Sequence, residues 1–211
     1  MTYFSLVRHG ETDWNKAGRI QGSTDIPLNE LGRQQAQETG RKLARYHWDL
    51  VICSPLSRAL ETATIISNEI GHPAPLIEPS IVERNYGDAE GLTGSELEAR
   101  FPGDTVVPGR ESKEEVFERV LAAMHVIAAE HPGKRILVVV HGGVIRAALQ
   151  GAVPGQFWHE KISNGSVHTF LHSDTGLELI RFNDELDIET SSPELSDFED
   201  QQPLEQREER R

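Results

Sequence analysis

The chain has 211 residues, 37% of them hydrophobic, and a formal net charge of −13. That length makes one domain with at most a small appendage, and the apolar content suffices for a core without staples. A single cysteine, Cys53, excludes an intrachain disulfide and a thiolate zinc site, and the acidic balance argues against nucleic acid or an anionic membrane as partner.

Tyr3–Val7 is a short apolar strand. It lacks a basic n-region and a long apolar stretch, so no signal peptide is expected. Asn29 is the predicted N-cap of a helix running to about Tyr46, and Leu50–Cys53 a second strand. Ser54-Pro55 is read as opening the next helix, with proline at its first position, up to Gly71. Thr93-Gly94-Ser95-Glu96 and Ser112-Lys113-Glu114-Glu115 both match the capping box, and the second opens a long helix to about His131. Ile136–Val140 is wholly apolar and β-branched but for Leu137, as a strand covered on both faces is. It is also the longest aliphatic run, far short of the ~20 residues of a membrane helix. A helix from about Val144 to Gln150 follows, then late strands at Val167–Leu171 and Leu177–Phe182. From Asp184 to Arg211 there are 11 acidic and 3 basic residues and few apolar anchors. This tail is expected to be disordered. The organisation read is a domain at 1–183 and an acidic tail at 184–211, in a cytoplasmic protein. The alternation predicts an α/β three-layer domain, a mostly parallel central sheet flanked by helices.

The chemistry collects after the strong strands. Arg8-His9-Gly10 follows the first, Ser54-Pro55-Leu56-Ser57-Arg58 the second, and His141-Gly142-Gly143 the strand at 136–140. Ligands of open α/β sheets bind beyond the carboxyl ends of the strands. Two guanidiniums (Arg8, Arg58) and two imidazoles (His9, His141) are thus expected at one edge of an acidic protein. The natural guest is a phosphate, whose oxygens arginine forks match bidentately. Gly10 and Gly142 let backbone approach a ligand. The other histidines read as surface or core residues, and no metal-ligand spacing is present.

Leu6-Val7-Arg8-His9-Gly10-Glu11-Thr12-Asp13-Trp14-Asn15 resembles the signature of the histidine phosphatase superfamily, in its phosphoglycerate mutase-like branch. Four further segments are similar to that family, in its order: Gln21–Ala36, Ser54–Ala63, Glu83–Gly91 and Val138–Gly143. The resemblance implies a phosphoglycerate mutase-like fold, and His9 as the nucleophile that takes a phosphoryl group. It implies Arg8, Arg58 and His141 as the clamp on the phosphoryl oxygens and Asn15, Gln21, Gly22 and Gly142 as further contacts. Glu83 would be the proton donor, placed just after a strand-like Ile81-Val82, with Glu90 the lesser candidate. Two arginines beside His9 are expected to keep its imidazole neutral, the attacking form. No metal or cofactor is expected, since the arginines neutralise the charge.

The shared core does not separate hydrolysis from phosphate shuffling. Residues 91–111 form a lid-like insertion, short beside that of the mutases, with Arg100 and Arg110, and Lys113 just beyond, as its cations. Pro108-Gly109-Arg110-Glu111-Ser112 is similar to a Gly-Glu-Ser stretch of the phosphatase branch, whereas Tyr86 also occurs in mutase-like versions. The reading favours a phosphomonoester hydrolase acting on a small phosphorylated metabolite, without naming it. The alternatives are a cofactor-dependent phosphoglycerate mutase and a non-catalytic phosphoester-binding regulatory protein; a homodimer is left open, since relatives often pair. Leu92, Phe101, Val106, Val107 and Trp158 either line a partly apolar rim or pack as an ordinary lid.

Overall fold

The computed structural model describes residues 1–154 and 160–183. Trp158 and the acidic tail 184–211 lie outside the described residues. The elements are β1 (Thr2–Arg8), α1 (Asp13–Lys16), α2 (Glu30–Leu43), β2 (Leu50–Cys53), α3 (Ser57–Ile70) and β3 (Leu76–Ile77). After these come α4 (Gly94–Arg100), α5 (Lys113–Glu130), β4 (Arg135–Val140), α6 (Gly142–Ala152), β5 (Val167–Ser173) and β6 (Gly176–Arg181). The sheet order is β3-β2-β4-β1-β5-β6. The pairs β3–β2, β2–β4 and β4–β1 are parallel, while β1–β5 and β5–β6 are antiparallel. This is the expected α/β fold with a mostly parallel sheet.

Period-2 alternation sends each central strand into two cores. Ile136, Val138 and Val140 of β4 pack with Phe4, Leu6 and Ile52 under α5 and α6, against Val120, Met124, Ile145 and Leu149. Leu137 and Val139 turn the other way, with Val7, Val51 and Cys53, onto Leu43 of α2 and Ala59, Ala63 and Ile66 of α3. All five residues Ile136–Val140 are at most 4% exposed, so both faces are covered, and truncating one to alanine leaves a cavity costing about 2–5 kcal/mol. A third, smaller core joins Ile20, Tyr86 and Ala89 to Leu97, Phe101 and Val107. This is the insertion folded on the domain. Leu92 packs against the same cluster, and Val106 is exposed. Leu92, Phe101 and Val107 are therefore packed into this small core.

The caps explain most boundaries. Asn29 accepts from the Gly32 amide at 2.9 Å, and Thr93 and Ser112 each close a capping box. Gly71 ends α3 in the left-handed region at φ 68°. Three expectations need correction. Helix α2 stops at Leu43, because the Tyr46 amide and the Trp48 indole both turn back onto the Leu43 carbonyl. Helix α3 begins at Ser57 rather than Pro55, since the Ser54 hydroxyl is engaged with His141 and the carboxylate of Asp25 caps the Ser57 amide at 2.7 Å. Ile81-Val82 is not strand-like: Pro79–Ile81 is a 3₁₀ turn, because β2 ends at Cys53 and leaves these residues no ladder partner.

Candidate active site

Strand register assembles the site. Arg8 of β1 stands opposite Val140 of β4, and Cys53 of β2 opposite Val139. The next residue on each of these parallel strands is His9, His141 and Ser54, so His9 and His141 emerge abreast at the carboxyl edge with Ser54 one residue behind. The rings of His9 and His141 lie 5.1 Å apart, and His141 Nε2 is 2.8 Å from Ser54 Oγ. Arg58 follows in the first turn of α3, and α6 opens directly after His141, its N-cap. Arg8, His9, Arg58 and His141 are all at most 3% exposed.

Hydrogen bonding selects one form of His9. Nδ1 lies 2.7 Å from the Gly10 carbonyl oxygen, an acceptor, so Nδ1 carries the proton. Arg58 Nε–H donates to His9 Nε2 at 3.3 Å, so Nε2 holds the lone pair. Burial, then the cations of Arg58 and Arg8, hold the imidazole well below its ordinary range, opposed by the Gly10 bond. His141 is held low in the same way, by burial first and then by Arg58. The neutral imidazole expected from the sequence is the form this environment favours.

Arg58 binds more than His9. Its Nη1 donates to the Thr24 carbonyl at 2.8 Å and its Nη2 to the Gly22 carbonyl at 2.7 Å. Burial brings its pKa down to about 10, with Glu83 and Asp25 acting in the other direction, so it stays cationic at neutral pH. Glu90 fastens the same loop: its two oxygens accept from the amides and hydroxyls of Ser23 and Thr24, and from the Tyr86 amide. A carboxylate so filled with donors serves as a clamp rather than as a proton donor. Gly22 has φ +57°, and a Cβ there would meet Glu90 Oε1 at 2.1 Å, so this turn requires glycine. Asn15 and Gln21 are buried; the Thr12 amide donates to Asn15 Oδ1 at 3.1 Å, and the Thr12 hydroxyl donates to Gln21 Oε1 at 2.8 Å.

Glu83 sits against the start of α6. Its carboxylate accepts from the Arg84 amide at 2.8 Å and from the Gly143 amide at 3.2 Å, in the first turn of α6. The N-terminus of α6 thereby holds the Glu83 carboxylate beside the helix that His141 caps. A Cβ on Gly143 would stand 2.5 Å from Glu83 Oε1. Gly143→Ala is therefore expected to displace the carboxyl and slow cleavage of alkyl phosphates by roughly tenfold or more. Thermal melting should change little, since the clash is with a side-chain end; steady-state kinetics beside a melt checks both.

The segment before β5 carries residues that sequence reasoning missed. The Ile162 carbonyl accepts from Arg8 Nη1 at 2.8 Å, and Asn164 Nδ2 donates to the His9 carbonyl at 2.7 Å. Thr62 accepts from the Gly10 amide at 3.1 Å. No local pattern marks Asn164 or Ile162, which meet β1 from more than 150 positions away; Ser54, just past a strand end, was the one legible signal. His168, read as surface or core, is core. Its Nδ1 accepts from the Asn183 amide at 3.3 Å and its Nε2 faces Ser166 Oγ at 2.9 Å. Burial pushes its pKa down to about 3 from 6.5. Because the unfolded chain binds this proton more readily, stability is full above pH 6.5 and falls as pH drops toward 3. The loss is expected to be roughly 3 kcal/mol by pH 4.5 and about 5 kcal/mol in full. Denaturant titrations at pH 7, 5.5 and 4.5 should show it, and His168→Asn should flatten the dependence; parallel curves would contradict it.

Among the described residues, no cluster of three or more His, Cys, Asp or Glu stands ready to hold a metal. Arg100, a cation of the insertion, is drawn to Asp88 at 3.5 Å and over the Phe101 ring.

A buried pair of imidazoles and a pair of guanidiniums at the parallel-strand edge define an α/β enzyme built to handle a phosphoryl group. The model of the histidine phosphatase superfamily (branch 1) matches residues 4–185, and the chain belongs to that superfamily. It is 45% identical over 150 residues to the uncharacterized phosphatase PhoE of Bacillus subtilis (strain 168), covering 71% of this chain and 76% of that one. It is 40% identical over 177 residues to phosphoglycerate mutase-like protein 4 of Arabidopsis thaliana, covering 78% and 77%. A mutant phosphoserine phosphatase from Entamoeba histolytica, solved with phosphoserine, matches with a TM-score of 0.75 at 28% identity, over 87% of this chain and 98% of that one. These relatives support an enzyme that hydrolyses phosphate esters.

Proposed function

We propose that the protein is a metal-independent phosphomonoester hydrolase that acts on small phosphorylated metabolites through a phosphohistidine. The observation carrying this is the state of His9: Nδ1–H is tied to Gly10, and the Nε2 lone pair faces the Arg58 guanidinium. Nε2 attacks phosphorus in line as the ester P–O bond breaks. Arg8 and Arg58 neutralise the charge on the three non-bridging oxygens, and His141 donates a hydrogen bond to one of them. Asn15, Gln21, Gly22 and Gly142 complete the phosphate cradle. Glu83 gives its proton to the leaving oxygen. It then takes a proton from the water that attacks phospho-His9, which releases inorganic phosphate and restores both groups. The catalytic unit is residues 1–183, with 91–111 as its lid and 184–211 as an acidic appendage outside the chemistry.

Hydrolysis rather than mutase action is supported by the short insertion, whose Arg100 is engaged by Asp88. The test is an assay in EDTA. The protein is given 3-phosphoglycerate with a trace of 2,3-bisphosphoglycerate, and separately a panel of phosphomonoesters. Free phosphate from the panel without 2-phosphoglycerate is the expected result. Rapid 2-phosphoglycerate with little phosphate would make the protein a mutase, and loss of panel turnover in EDTA would overturn metal independence.

A further inference from the structure

The backbone on both sides of Glu83 is held by one ion pair. Arg119, on α5, donates from Nη1 to the carbonyls of Ser80 and Val82, at 2.9 and 2.8 Å. Its Nε and Nη2 fork onto the two carboxylate oxygens of Glu111, at 2.9 and 3.0 Å. Glu111 in turn grips the residues after Glu83. Its Oε2 accepts from the Asn85 amide at 3.1 Å, its carbonyl accepts from Arg84 Nε at 2.8 Å, and its amide donates to the Asn85 carbonyl at 2.8 Å. Both side chains are about one-fifth exposed, at 22% and 19%, and neither belongs to the phosphate cradle. Residues 80–85 contain only a single 3₁₀ turn, so no regular ladder fixes the position of Glu83. A planar fork that binds a carboxylate on one side and two carbonyls on the other supplies that fixity.

We propose that Glu111 and Arg119 are positioning residues for the proton donor: they hold the Glu83 carboxyl within reach of the leaving oxygen, and they link the end of the lid-like insertion to that step. This rests on Glu83 being the acid. An acid matters most where the leaving group is poor, and activated esters need little protonation. A displacement of about 1 Å in a catalytic group can cost ~10²-fold in rate. Loss of the pair must then appear as a leaving-group effect, with phosphate binding intact.

Glu83→Gln, Arg119→Ala, Arg119→Lys and Glu111→Gln are to be compared on p-nitrophenyl phosphate and on an alkyl phosphate, with inorganic phosphate as competitive inhibitor. Arg119→Ala is expected to lower kcat about 30-fold on the alkyl ester and less than about threefold on the nitrophenyl ester. The inhibition constant for phosphate should stay within about twofold, because Arg119 makes no hydrogen bond to the cradle and its charge is the smallest of the influences on His141. Arg119→Lys keeps the charge and a donor for the carbonyls but loses the fork, and should fall between wild type and Arg119→Ala. In the Glu83→Gln background, Arg119→Ala should add nothing. If Arg119→Ala lowers the melting temperature steeply, Arg119→Lys and Glu111→Gln carry the same comparison. Equal slowing on both esters, no slowing, or additivity with Glu83→Gln overturns the role of the pair. Absence of a leaving-group effect in Glu83→Gln itself overturns the acid assignment, and the pair's role falls with it.

Discussion

Replacing His9 with alanine is expected to abolish turnover, by roughly 10⁴-fold or more, and to abolish a trappable phosphoenzyme with it. The wild-type protein, quenched during turnover, should carry acid-labile phosphate on one histidine; the variant should carry none. The fold should survive, because the backbone amide and carbonyl of His9 bond to Val140 and Asn164 independently of the ring. The state of the wild-type ring bears on the same step. Burial, Arg58 and Arg8 hold His9 low, so its protonation is not expected to limit activity as pH falls through the ordinary histidine range. An imidazole resonance of His9 that titrated well above pH 7 in the free protein would remove the nucleophile, since the cation has no lone pair to attack with. Full activity in His9→Ala would do so more directly.

Arg58→Ala comes next in size. One side chain supplies a donor beside His9 Nε2, two donors to the loop at Gly22 and Thr24, and a buried charge. Its loss is expected to lower kcat by roughly 10²–10³-fold and to raise KM and the inhibition constant of phosphate together. Arg58→Lys should recover little, since an ammonium cannot span both carbonyls and the imidazole. Stability should change far less than activity. Two carbonyls lose a donor, at about 1–3 kcal/mol each, but a cation whose pKa burial has lowered to about 10 no longer has to be desolvated near Arg8. Kinetics, phosphate inhibition and a thermal melt on the same preparations separate these effects. An unchanged phosphate inhibition constant would remove Arg58 from the clamp.

How much of this was legible beforehand depends on the range of the interaction. Strand ends and helix starts rest on alternation and on i, i+3 capping, which a linear reading sees. Thr93 with Glu96, Ser112 with Glu115 and the apolar run at Ile136–Val140 came out within a residue or two. Strand ends alone brought Arg8, His9, Arg58 and His141 to one edge, because parallel strands of a layered sheet share their carboxyl side. The proposal of Glu83 over Glu90 as the acid began from resemblance, and what supports it is tertiary: Glu90 is filled by the Ser23–Thr24 loop, while Glu83 sits at the N-terminus of α6.

Taken by itself, then, the sequence determined the fold class, the caps at Asn29, Gly71, Thr93 and Ser112, and which four basic side chains share an edge. Only the tertiary structure decided that Ser54 serves His141 instead of opening a helix, that Asp25 caps α3 from a distant loop, and that His9 presents Nε2. It alone joined Asn164 to His9 and Arg119 to the backbone around Glu83. Each of these contacts joins groups 32 or more positions apart or turns on a buried donor's choice of partner. Packing settles such pairings, since a buried polar atom takes whichever partner the assembled layers bring within reach.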